Sequence, residues 1–365
     1  MESVLVAGAT GYLGRHLVVE LAGRGHAVRA VVRSRERAEQ PGPFGAPSIA
    51  GAVAEWIEGP VTEPDFVRGL TRGAERVVSA LGVTRQKASP WDVDYLANRH
   101  LLEDAEREGV RSFLYVNVMH ADTGTSLILR SKAAFAATLE RSAIAHQVIN
   151  PSGYFSDLTD FWAMARHGLV LLPPGGDTRV APIHGVDLAV FCADKLGDTS
   201  GTWDVGGPDV LTYREIAEIA IKASGHGARI LAIPHGALSA AVWVASRLGE
   251  RPRDLAEFFA EGLTHDAVGE RFGTRHLADY FASLRGHGPD EQVSLGGRRG
   301  RASVEPRRLT GRERDRTTVR LSPHLHPGLR RHFGWTPSTT TGTGDAGSSG
   351  SFPRGVKGLE SPLNS

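Results

Sequence analysis

The stretch Val4-Leu5-Val6-Ala7-Gly8-Ala9-Thr10-Gly11-Tyr12-Leu13-Gly14, VLVAGATGYLG over residues 4–14, decides the fold. Its first part, VLVAG (4–8), has the apolar composition of a buried strand, and residues 12–23 follow as a helix with Leu13, Leu17 and Leu21 on one face. Between them three glycines stand in the spacing GxxGxxG. The first permits a tight turn, the second lets backbone approach a pyrophosphate, and the third lets helix pack on strand. The free N–H groups at the start of the helix suit the same phosphates. The loop predicts that Gly8, Thr10, Gly11, Tyr12, Leu13 and Gly14 face a dinucleotide.

Working outward, AVRAVV (27–32), RVVSAL (76–81), FLYVNV (113–118) and HQVINP (146–151) read as further buried strands. Helical patterns at 64–71, 91–108 and 132–142 fall between them. This alternation predicts an α/β fold, a Rossmann-type doubly wound parallel sheet covered on both faces. Residues 1–150 form its NADP-binding core. Residues 151–285 form a small substrate-side region of the same domain, with a strand at 202–207, an amphipathic helix at 211–225 on Ile216, Ala220 and Ala223, a strand at 229–234 and a helix at 237–248. The aromatics Tyr154, Phe155, Phe161 and Trp162 read as core or as an apolar substrate wall.

From 286 the periodicity stops. Nine arginines lie between 298 and 320, and TPSTTTGTGDAGSSGSFPRG follows. Such a stretch cannot bury enough apolar surface to offset its ordering entropy, so 286–365 reads as a disordered tail. It holds few aromatics to stack bases, so a nucleic-acid partner is not expected.

The strand at 27–32 runs into Arg33, with Arg35 and Arg37 close behind. In this fold the end of the second strand meets the adenosine ribose, where an acidic residue would bind the 2′-hydroxyl. A guanidinium there suits a 2′-phosphate instead. Arg33 therefore predicts NADP(H), with NAD(H) as the alternative.

Composition narrows the function further. The net charge of +1 implies no strongly charged partner, and the one cysteine, Cys192, excludes an intrachain disulfide framework. The N-terminus lacks the pattern of a signal peptide, and ALSAAVWVA (237–245) is too short to span a bilayer. A cytoplasmic protein is expected. HExxH, CxxC and GxSxG patterns are absent, so no metal site and no serine-hydrolase site is predicted. His184 and Asp187 have no ligand partner at a fixed spacing, and Asp187 reads as a cap for the helical LAVFCADKL that follows.

The glycine loop, the helix-and-strand run VDYLANRHLLEDAEREGVRSFLYVNV with its Asn98, the loop INPSGYF (149–155) and PIHGVDLA (182–189) together resemble the short-chain dehydrogenase/reductase superfamily. The resemblance is to its extended and atypical branch, the NmrA-like and NAD-dependent epimerase-like NAD(P)H-binding proteins, and it covers about 1–285. It implies that Ala80, Leu81 and Gly82, Asn117, Lys132 and Pro151 join the glycine loop around the cofactor. It also implies a Tyr four residues before Lys132 and a Ser at 117. Ile128 and Asn117 stand there instead.

Two functions follow. One is an NADP(H)-dependent oxidoreductase acting on a small or medium apolar carbonyl or enone, with Lys132 and Tyr154 as the catalytic candidates and His120 as a further one. In that reading Lys132 serves as an acid if burial lowers its pKa, or anchors a ribose if not. The other is a non-catalytic NAD(P)H-binding redox sensor or assembly scaffold, which the loss of Tyr and Ser favours. A sugar-nucleotide epimerase needs the Tyr and fits less well.

Overall fold

A computed structural model describes residues 1–286 except 84–87, 173 and 175. All of these lie in the first of two compact units, residues 1–301. The expected disorder of 286–365 falls, apart from residue 286, outside the described residues.

Eight strands form the central sheet, all parallel. They are β1 (Ser3–Ala7), β2 (Ala27–Val32), β3 (Glu55–Glu58), β4 (Arg76–Ser79), β5 (Ser112–Val116), β6 (Ala145–Pro151), β9 (Gly201–Gly206) and β12 (Glu270–Arg271). Two-stranded pairs are made by β7 (Leu169–Leu172) with β11 (Arg229–Ala232), and by β8 (Arg179–Val180) with β10 (Leu211–Thr212). The order in the large sheet is β3-β2-β1-β4-β5-β6-β9-β12. The chain reverses its direction of sheet growth between β1 and β4, which opens a crevice at the carboxyl ends of those strands. The doubly wound sheet expected from the sequence is thus present. The short strands β3, β7 and β12 were not legible, since EWIE, LVLL and ER carry too little pattern for a separate reading.

Helices cover both faces: α1 (Tyr12–Gly23), α2 (Arg35–Glu39), α3 (Pro64–Val67), α4 (Asn98–Glu108), α5 (Leu127–Glu140), α6 (Thr159–Arg166), α7 (Gly185–Lys195), α8 (Tyr213–Ser224), α9 (His235–Leu248), α10 (Glu250–Thr264) and α11 (Leu277–Ser283). Strand alternation sorts the core. Val4 and Val6 of β1 pack on α1 and α7 with Leu13, Leu17, Leu21 and Phe191. Leu5 and Ala7 face the other way, among Leu101, Phe113, Tyr115 and Phe135. A third cluster joins α6, α8 and α11 through Phe161, Trp162, Ile216 and Phe281.

Three expectations change in detail. The helix expected over 64–71 ends at Val67, because Gly69 turns the chain at φ +76° and Asp104 accepts the N–H groups of Gly69 and Thr71 at 2.7 and 2.9 Å. The helix expected over 132–142 begins earlier, at Leu127, where the Ser126 hydroxyl caps it. Asp187 does not cap α7. The ring of His184 accepts the Val186 N–H at 3.1 Å, while Asp187 reaches across to the backbone N–H groups of Thr274 and Arg275 and to the Arg275 guanidinium.

Candidate functional site

The turn after β1 is shaped by backbone collisions that only glycine avoids. Gly8 has φ +80°, and a Cβ there would stand 2.6 Å from the Ala80 carbonyl oxygen. A Cβ on Gly14 would fall on the Gly8 carbonyl, so α1 could not pack against the loop. Gly11 differs: its φ is −69°, and a Cβ would meet only the Gly8 oxygen at 3.3 Å. That contact is tight without being a collision, so the requirement at 11 is weaker than at 8 or 14, and Gly11 lines the adjoining cleft. Gly11 is also the N-cap of α1 and supplies no side-chain cap, so the helix start presents its N–H groups to that space.

A cleft of about 760 Å³ runs from this turn across the carboxyl ends of β4, β5 and β6. Its walls bring together Thr10, Gly11, Tyr12, Leu13 and Gly14, then Ala80, Leu81 and Gly82, then Asn117, Lys132, Pro151 and Tyr154. Two of the expected residues lie outside these walls: Gly8 acts through the turn, and Arg33 stands exposed just past β2. The neighbouring Arg35 is engaged by Glu39 at 2.8 Å and stacks over Trp56.

Lys132 reaches the wall from α5 and is buried. Its Nζ lies 2.8 Å from Asp94 Oδ1, and its ammonium stands over the Tyr115 ring at 5.6 Å. Burial pulls the Lys132 pKa down, but Asp94, then Tyr115, outweigh it and hold the ammonium above its ordinary range. An acid role through a pKa lowered by burial is thereby corrected: Lys132 stays charged. Burial pushes the Tyr115 phenol up to about 12 and raises Tyr154 as well, with Lys132 opposing in both. Ile128 is buried and absent from the cleft walls; its backbone N–H meets Asp254 at 3.3 Å.

Asn117 donates to Asn150 Oδ1 at 2.9 Å, and Asn150 in turn donates to Asp204 at 2.9 Å. The Asn117 Oδ1 is buried without a hydrogen-bond partner. His120 is exposed in the left-handed region, φ +61°, with Nε2 2.6 Å from the Asp266 carbonyl oxygen. Beyond these residues the cleft turns apolar, walled by Met119, Phe161, Met164, Tyr213, Phe258 and Phe259. Glu261 of α10 lines the cleft and accepts the Thr125 N–H at 2.7 Å, so α10 docks on the start of the helix that carries Lys132.

Sequence reasoning missed three contributors. Asp94 is fully buried; its signal was its place one helical turn before the buried Asn98. Arg15 is 4% exposed and donates to the carbonyls of Thr10, Arg37, Ala38, Gln40 and Pro47, fixing the 37–47 loop to the glycine turn. Its only sequence signal was an arginine directly after the last loop glycine. The α10 wall had none, because contacts over more than a hundred residues leave no local pattern.

Residues 8–199 match the NAD(P)H-binding family. The chain belongs to that family, of the NmrA-like and epimerase-like extended short-chain dehydrogenase/reductase fold. It is 28% identical over 276 residues to the chloroplastic divinyl chlorophyllide a 8-vinyl-reductase of Oryza sativa subsp. indica, covering 70% of this chain and 68% of that protein. It is 25% identical over 241 residues to the photosystem II assembly factor Ycf39 of Trieres chinensis, covering 64% and 72%. Among solved structures, the NADPH-dependent quinone oxidoreductase of Escherichia coli in complex with NADPH superposes with a TM-score of 0.59 at 18% identity, covering 77% of this chain and 99% of that one.

The cleft fits a nicotinamide dinucleotide on its own terms. Gly11 leaves room that a side chain would fill, the α1 N-terminus is open, and a buried charged lysine stands further along the same wall. No helix among the described residues is long and apolar enough to cross a membrane.

Proposed function

We propose that this protein is an NADP(H)-dependent reductase of a small or medium apolar carbonyl or enone. The observation that carries the proposal is the continuity of one cleft from the glycine turn, past Lys132 and Tyr154, into an apolar compartment. The bound cofactor would supply hydride. The turn 8–14 would hold its pyrophosphate, and Ala80, Leu81, Gly82, Asn117 and Pro151 would frame the rest. Arg33, at the carboxyl end of β2, would meet a 2′-phosphate. Lys132 would anchor, and the Tyr154 phenol, kept protonated at neutral pH by burial, would give the proton.

Charge narrows the substrate. Asp157, Asp160 and Glu261 line the cleft, and among its described lining residues there is no arginine and one lysine. A sugar diphosphate would meet carboxylates where it needs cations, which favours neutral substrates over epimerase chemistry.

The second reading is a non-catalytic NADP(H)-binding sensor or assembly scaffold. It is favoured by position 128, where a buried isoleucine is not part of the cleft lining, and by the likeness to an assembly factor. Steady-state NADPH oxidation against a panel of quinones, enones and ketones separates the two. Turnover that Tyr154→Phe reduces about 100-fold supports the first. Tight NADPH binding with no turnover on the whole panel overturns it in favour of the second.

A further inference from the structure

We propose that Asp94 is the positioning residue for Lys132, fixing its side-chain nitrogen at the cleft wall where position 128 offers no phenol. The inference rests on reading the cleft as a nicotinamide dinucleotide site.

Asp94 is wholly buried, and carboxylates are almost never so unless paired. Its partner is Lys132, at 2.8 Å. The pairing depends on an unusual backbone. Residues Trp91–Ala97 wind as a π-helix before α4 begins at Asn98. Such wide turns are rare and concentrate at functional sites. Asn98 holds this one in place: its Nδ2 donates to the carbonyls of Val93 at 3.2 Å and Asp94 at 3.0 Å, and its Oδ1 accepts from Ser79 at 2.5 Å. Ser79 ends β4, so the sheet, Asn98 and the wide turn form one rigid path to the Asp94 carboxylate.

The pair also lies directly under the cleft lining. A Cβ built on Gly82 would stand 3.5 Å from Asp94 Oδ1 and 3.6 Å from Lys132 Nζ. Gly82 therefore lets backbone pass over the pair while the lysine reaches the wall. The titratable groups facing Lys132 come from three directions: Asp94 on the π-helix, Tyr115 on β5 and Tyr154 after β6. Asp94 is the one carboxyl group among them: burial pushes its own pKa up, Lys132 at 2.8 Å opposes that shift, and the carboxylate in turn favours the charged ammonium. A charged ammonium has three donors; Asp94 at 2.8 Å and the Tyr115 phenol draw on them from the core side, and what remains is open to acceptors in the cleft.

The test is fluorescence titration of the full chain with NADPH between pH 7 and 10. Wild type is expected to bind with nearly constant affinity across this range. Asp94→Asn removes the counter-charge, so Lys132 loses its proton within the range, and affinity should fall at least 10-fold from pH 7 to pH 10. Asp94→Glu should restore the flat profile. A flat profile for a folded Asp94→Asn overturns the inference. A comparison that does not need that variant to fold uses Lys132→Met with and without Asp94→Asn. Equal affinities show Asp94 acting through Lys132, and a further loss above about 3-fold in the double variant, roughly 0.6 kcal/mol, overturns it. Wild type failing to bind either NADPH or NADH would instead sink the reading of the cleft itself.

Discussion

The chain before Pro151 and the chain after it solve different problems. Before it, six strands lie side by side in one parallel sheet and the core residues of β1, β4 and β5 are almost entirely enclosed. After it, two strands extend that sheet while four others pair off in twos, α9 leaves Trp243, Val244 and Leu248 half or more exposed, and α10 leaves Phe259 exposed. In the first region every strand except the edge strand β3 is paired on both sides, and helices cover both faces. The second is assembled on its rim and contributes the apolar wall of the cleft. A fixed cofactor needs the first kind of construction, and a variable substrate tolerates the second.

If that contrast is right, damage should scale with the region touched. Lys132→Met should have the largest effect, because it strands the Asp94 carboxylate in the core; about 3 kcal/mol of stability should be lost in urea unfolding. A loss under 1 kcal/mol would mean that the pair is not buried as described.

The next effect concerns acid. His16 is buried on α1 against Tyr12 at 5.1 Å and His184 at 5.8 Å, and burial first, then His184 and Arg275, lower its pKa to about 4. The unfolded chain binds this proton near pH 6.5 and the folded chain does not, so between those values the unfolded state holds more protons. Stability should be constant above about pH 6.5 and fall by about 3 kcal/mol on going to pH 4. His16→Gln should flatten this slope in denaturation curves taken at successive pH values; an unchanged slope would assign it to other groups.

Arg33→Ala should weaken NADPH binding by about 1.5–3 kcal/mol, the range for a charge-assisted hydrogen bond, and leave NADH binding untouched. Equal weakening of both cofactors would remove Arg33 from the 2′-phosphate. At the small end, Trp243→Ala on α9 should shift stability by no more than about 0.5 kcal/mol despite the loss of the Arg247 stacking at 4.5 Å, and should not change NADPH affinity. A larger effect on cofactor binding would show the rim coupled to the core through α10.

The legible residues share a property. Gly8, Gly11 and Gly14 were read from their short-range spacing, although the collision that requires glycine at position 8 is with Ala80, just past β4, and Leu13, Leu17 and Leu21 from helical period because all three face one core. Lys132 was found by likeness to a motif, while the sign of its pKa shift was not, since that depends on Asp94 arriving from a different helix. Asp187 was misread for the same reason: an acid at the start of a helix looks like a cap until residues 274 and 275 fold against it.

By itself, then, the sequence determined the alternation of strands and helices, the parallel sheet and the dinucleotide turn, because these rest on period, chain sterics and short-range spacing. Only the tertiary structure decided which carboxylate meets Lys132, which residues wall the apolar end of the cleft, and that position 128 lies outside its lining. Those contacts join segments 38 to more than 120 residues apart, and no local pattern encodes a distance of 2.8 Å between them.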